Sequence, residues 1–217
     1  MIKKLGIHFL GVVFIPLGVA MIVNAQIGAF PWDGINLFMF SMVQSWWPEV
    51  NLWMISFFNG TLMAILAVIL YRKPKYFVSI IMILFTSLFF ELFYYLLGTY
   101  MPYHEQLYFA IPMALLGMVV MAIGINFTIL SGLIASAIEL VMMFIDKKVH
   151  NLFLAKLILE GSLLIISITL GIITGDLWLY VNWFTVIAIL TVSTFVSMTY
   201  PLVALMIGKK GHLNENK

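Results

Sequence analysis

The chain has 217 residues, 64% of them hydrophobic and 9% charged, with a net charge of +2. A soluble domain holds about 45–50% apolar and about 25% charged residues, so here the polar exterior must be replaced by lipid. The absence of cysteine excludes disulfides, thiolate nucleophiles and cysteine metal ligands.

A helix needs about 20 apolar residues to cross a bilayer. The first such run, about 5–26, follows Lys3 and Lys4. It exceeds the ~7–15-residue core of a signal peptide and further spans follow, so it reads as a retained span. His8 within it reads as an interfacial hydrogen-bonder. The run leads into Ala25-Gln26-Ile27-Gly28-Ala29-Phe30-Pro31-Trp32-Asp33-Gly34. Pro31 removes a donor and disfavours helix at the residue before it, so the span should close by Phe30. Asp33 then caps a short helix, 33–47, that begins at Gly34 and carries Asn36. A helix start inside a membrane presents unpaired amides and a partial positive charge, which suits an anionic group on a substrate.

Spans follow at about 51–72 and 76–98, the latter holding Glu91 near its outer end, and then at 108–127. A second short segment, 131–145, opens on Ser131-Gly132, again a capping residue before glycine, with Glu139 midway along it. The span 152–174 carries Lys156 and Glu160 one turn apart on one face, and 181–208 is the last. None of these runs alternates like a lipid-facing barrel strand. The fold class expected is an all-α polytopic membrane protein of six transmembrane helices plus two half-helices.

Orientation follows from Lys and Arg, which concentrate in cytoplasmic connections. The clusters are Lys3/Lys4, Arg72/Lys73/Lys75, Lys147/Lys148 and Lys209/Lys210, whereas the connections at 47–50, 99–107 and 175–180 hold Glu49, Glu105 and Asp176 and no basic residue. Placing every cluster inside, together with Lys217 of the polar tail, accounts for ten of the eleven basic residues, Lys156 being the exception. It puts both termini in the cytoplasm, and it closes only if 33–47 and 131–145 do not cross. Gly18, Gly34, Asn51 and Gly60 are spaced 16, 17 and 9 apart; Gly117, Gly132, Asn151 and Gly161 are spaced 15, 19 and 10 apart. With three crossings per half, this predicts an inverted repeat of 1–101 and 102–217, a plan used by many secondary transporters.

The words Ala25-x-Ile27-Gly28-x-x-Pro31-Trp32-Asp33 resemble the signature of the YczE/YyaS-type, YitT-related bacterial integral membrane proteins. In the later half, where that resemblance leads to a Pro-Arg-Asp-Gly-like element, this chain has Ile129-Leu130-Ser131-Gly132. The resemblance implies a multi-pass protein of a bacterial plasma membrane with a transporter-like role and names no substrate.

Ionisable residues inside spans are functional candidates by default. Asp33, Gly34, Asn36, Ser131, Gly132, Glu139, Glu160 and Glu91 are the candidates for binding a substrate or ion, with Glu139, Glu160 or Glu91 as proton carrier. Lys156 reads as a snorkelling side chain. Asn24, Gln26, Asn59 and Asn126 either line the same cavity or tie helices together. There is no HExxH, G-x-S-x-G or phosphate loop, and the four histidines lack metal-ligand spacing. No catalytic set, cofactor, metal or nucleic-acid partner is therefore expected. The expected partners are the lipid bilayer and a small-molecule or anionic substrate. The expected function is a small transporter or permease; the alternatives are a substrate-capture subunit of an ATP-driven importer and a non-transporting accessory or scaffold protein.

Overall fold

A computed structural model describes residues 2–100, 107–134 and 136–208, apart from the side chain of Leu152. Glu105 and Lys209/Lys210 lie outside the described residues. The helices are α1 (Ile2–Asn24), α2 (Pro31–Gln44), α3 (Leu52–Tyr71), a short 3-10 turn (Pro74–Val78), α4 (Ser79–Tyr100), α5 (Leu107–Ser131), α6 (Ala137–Val149), α7 (Leu152–Thr174), α8 (Leu177–Tyr180) and α9 (Trp183–Met206). Among the described residues there are no strands. Six helical stretches are long and apolar enough to cross a membrane, beginning at Ile2, Leu52, Pro74, Leu107, Phe153 and Leu177. The protein is an all-helical, multi-pass integral membrane protein.

The α2 and α6 helices have 14 and 13 residues. At 1.5 Å per residue they reach about 20 Å, short of the ~30 Å hydrocarbon layer. Each begins buried and ends exposed. Trp32 and Ile35 of α2 pack with Ala67, Leu140, Leu159 and Leu163, while residues 41–49 are mostly exposed. Ala137 of α6 packs with Ala64 and Ile83, while Lys147 and Lys148 are exposed. The α2 helix runs the same way as α7, because Gly34 lies against Ser167 and Phe38 against Gly171.

The first span closes before Phe30 as expected, though ahead of Pro31, and a second boundary differs from expectation. The α1 helix stops at Asn24 because Gln26 and Gly28 take left-handed φ angles of 54° and 134°, so the chain turns before Pro31 is reached. The α5 helix runs through Ser131, and Gly132, at φ 67°, terminates it. Ser131-Gly132 thus closes a long helix and does not open a short one.

The molecule is built around α1 and α5. Gly11 lies against Gly124, and Gly18 against Gly117, so the two helices are antiparallel. A Cβ on Gly117 would sit 2.7 Å from the carbonyl of Gly18, and one on Gly11 would sit 2.7 Å from that of Gly124. Only glycine permits this approach, as at small-residue interfaces in other membrane helices. The α1 helix also packs on α4, and α5 on α9; α2 packs on α7 and α6 on α3; α2 also meets α3, and α6 meets α7. Asn24 donates to the carbonyl of Tyr94 on α4 (3.2 Å), and Asn126 donates to that of Val196 on α9 (2.8 Å). These amides tie helices together.

Candidate functional site at the start of the half-helices

Pro31 opens α2 at the position where its fixed φ fits and its missing N–H costs nothing. The residue before it, Phe30, supplies no side-chain cap. Asp33 is therefore the third residue of the first turn and does not cap a helix beginning at Gly34. The helix dipole favours a carboxylate there. Asp33 is only 8% exposed, and among the described residues its carboxylate forms no hydrogen bond.

Glu160 of α7 lies within Coulombic reach of Asp33. The Oε2 of Glu160 is buried and unpartnered, as is the hydroxyl of Ser167 seven residues further along α7. A Cβ on Gly34 would lie 2.6 Å from Ser167 Oγ, so glycine lets the first turn of α2 press onto this stripe. Lys156, one turn before Glu160, interacts with it electrostatically. It also donates to Ser193 Oγ of α9 at 2.9 Å, so it does more than snorkel. One turn beyond Trp32, the fully buried Asn36 accepts from Asn59 Nδ2 of α3 at 2.8 Å.

The second half-helix begins on its own cap. Ser136 Oγ accepts from the N–H of Glu139 (3.3 Å), and Glu139 Oε2 accepts from the N–H of Ser136 (2.9 Å), a reciprocal capping box. Glu139 is thus the third residue of α6, and not midway along it, because the helix starts at Ala137. Asp33 and Glu139 hold the same position in their respective helices, 106 residues apart.

The other sequence candidates are elsewhere. Ser131 meets His8, whose Nδ1 lies 2.9 Å from Ser131 Oγ. That hydroxyl donates to the carbonyl of Thr128 (2.6 Å), which leaves the His8 nitrogen to donate to it. Gly132 has open space around it. Glu91 of α4 faces the backbone N–H groups of Leu52 and Trp53, the start of α3, where Asn51 makes no side-chain cap. It lies near the start of a neighbouring helix and stands apart from the Asp33 region. Gln26 is exposed. Ser167 was not among the sequence candidates; the signal was its seven-residue spacing from Glu160, two helical turns on one face.

Aromatic rings close both ends. Phe38 meets Tyr180 at 5.1 Å between centroids, and Tyr180 lies close to Tyr94. At the other end Phe144 meets Tyr71 at 5.5 Å, and Tyr71 meets Tyr76 at 4.9 Å. Lys147 lies 4.8 Å over the Tyr71 ring. Phe38 and Phe144 each follow the first-turn carboxylate of their helix by five residues. Among the described residues no three His, Asp or Glu side chains converge on a metal position.

No curated protein and no solved structure matches the chain. Residues 2–201 do match a family of unknown function (DUF6198), and the chain belongs to that family.

Proposed function

We propose that this protein is a small secondary transporter built as an inverted repeat, with its site where α2 begins. The observation that carries this reading is the pair of half-helices. Each starts buried within the bundle, bears a carboxylate at its third residue and reaches an aromatic cluster further along, Phe38–Tyr180 in one and Phe144–Tyr71 in the other. Broken helices of this kind hold substrate and coupling ions in many transporters, and irregular backbone at membrane depth is tolerated where protein or a wet cavity surrounds it.

The packing supports the repeat. Each half has the order long helix, half-helix, long helix, short turn, long helix. Exchanging the halves turns the α1–α4, α2–α7 and α2–α3 contacts into those of α5–α9, α6–α3 and α6–α7. Helix boundaries align Gly11 and Gly18 with Gly117 and Gly124, 106 residues on. The equivalence of Gly18 with Gly117, and of Gly34 with Gly132, is replaced by this register. Lys and Arg support cytoplasmic termini, and the Ala25-to-Asp33 words support kinship with YczE/YyaS-type proteins of bacterial plasma membranes.

The test uses the absence of cysteine. Trp32→Cys, Asn36→Cys and Ser167→Cys, with Lys73→Cys and Glu49→Cys as controls, are treated with a membrane-impermeant thiol reagent from each side. The transporter reading expects the first three to react from both sides and each control from one. Reaction from one side only would favour the substrate-capture subunit. No reaction would mean a dry centre and an accessory or scaffold role.

A further inference from the structure

Two basic stretches far apart in the chain meet at one end of the bundle. Arg72, Lys73 and Lys75 follow the end of α3, and Lys147 and Lys148 occupy the last turn of α6. All five are exposed. The rings between them join the two stretches, since Tyr71 meets Tyr76 at 4.9 Å and Phe144 of α6 at 5.5 Å. Lys147, 76 residues after Tyr71, holds its Nζ 4.8 Å from the centre of that ring. Lys75 Nζ lies 5.4 Å from the centre of Tyr76, and Lys148 Nζ 5.1 Å from that of Phe144. A ring face attracts an ammonium group without using all three of its hydrogen-bond donors.

The rest of the protein leaves this charge unused. Among the described residues none of the five basic side chains makes a hydrogen bond or an ion pair. Asp146 is the one acidic residue within 71–78 and 144–150, so these stretches carry a net charge of +4 with His150 neutral. The amino-terminal basic pair differs, because Lys3 donates to the carbonyl of Ile207 at 3.2 Å. Beside the ring-held lysines, Phe77, Val78 and Met143 are exposed apolar side chains. Exposed apolar groups next to aromatic rings and ammonium groups fit the headgroup layer of a bilayer, where both kinds of neighbour are present.

We infer that the patch formed by Tyr71, Tyr76, Phe144 and the three lysines over them is a binding site for the headgroup of an anionic phospholipid. A headgroup phosphate supplies the missing negative charge, and the acyl chains lie along the exposed apolar side chains. Juxtamembrane lysine clusters attract anionic lipid in this way. The meeting of α3 with α6 makes the site, since neither stretch alone holds more than three basic residues. The inference goes beyond the transporter reading and does not depend on it.

The full chain, purified in a neutral detergent, is titrated with phosphatidylglycerol and separately with phosphatidylcholine, and bound lipid is counted by native mass spectrometry. The wild type is expected to retain phosphatidylglycerol in preference, and added NaCl to weaken that preference. Lys75→Gln and Lys147→Gln are each expected to lower the affinity about fivefold. Tyr71→Leu is expected to lower it as well, whereas Tyr71→Phe keeps the ring and is expected to match the wild type. Lys4→Gln, an equal loss of charge at another end of the chain, is also expected to match it. Thermal melts verify folding, and the exposed lysine variants carry the test if Tyr71→Leu fails to fold. No preference between the two lipids overturns the inference. So does an equal loss in Lys4→Gln, which would show attraction by overall charge without a site. Displacement of the lipid by millimolar inorganic phosphate would overturn the lipid assignment in favour of a free-anion site.

Discussion

At the scale of single residues, the amides and carboxylates of this protein divide into those that complete a helix and those left open. Glu139 completes one by receiving a backbone amide, while Asn126 holds a carbonyl of α9 through Nδ2 and leaves its Oδ1 without a partner. Asp33, Glu160 and Ser167 stay open, although Asp33 and Glu139 occupy equivalent helical positions. The Asn36–Asn59 bond of 2.8 Å belongs to the first group. Asn59→Ala should lower the melting temperature, since it strips a fully buried acceptor of its donor. A double-mutant cycle with Asn36→Ala should show coupling of about 1 kcal/mol, within the range for interhelical hydrogen bonds in membranes. Independent, additive effects would show that the bond contributes no stability. The amides themselves were legible in the sequence, but their partners were not. Asn24 and Asn36 are similar apolar-flanked amides, and only packing separates a tie to Tyr94 from a bond to Asn59.

At the scale of elements, the α1–α5 pair governs stability. Its glycines sit seven apart on each helix, and a Cβ on Gly117 would lie 2.7–3.0 Å from backbone and side-chain atoms of α1. Gly117→Leu should cost at least about 1–3 kcal/mol, the usual range for overpacking, while Gly6→Leu, with nothing within 4 Å of a Cβ, should be near neutral. Thermal unfolding of the two variants in detergent checks this; equal losses would show that the close approach is not rigid. Helix existence was legible because length and hydropathy are local quantities. Helix starts were less so. Ser131 and Ser136 are both capping residues, and the choice between them fell to Ser136 because Glu139 stands three residues later to complete the box. Ser131 was free to join His8 instead.

At the scale of the whole molecule, the two aromatic closures matter most. Phe38–Tyr180 and Phe144–Tyr71 lie at opposite ends of the exchanged halves, and an alternating mechanism would open one at a time. Phe38→Ala should raise reagent access to Asn36→Cys from the outer side, and Phe144→Ala should raise it from the inner side. Access unchanged in both variants would remove the closures from any gating role. By itself the sequence determined that the chain lives in a bilayer, that six stretches are able to cross it and that two are too short. Transfer of a segment into lipid is summed residue by residue along the chain, so no knowledge of neighbours is needed. Only the tertiary structure decided that Asp33 comes within Coulombic reach of Glu160, 127 residues away, that Ser167 is left without a partner, and that Ser131 meets His8. Those pairings depend on which faces of α2 and α7 meet. That in turn is set by close contacts such as Gly34 against Ser167, which act across the fold and leave no trace in local hydropathy.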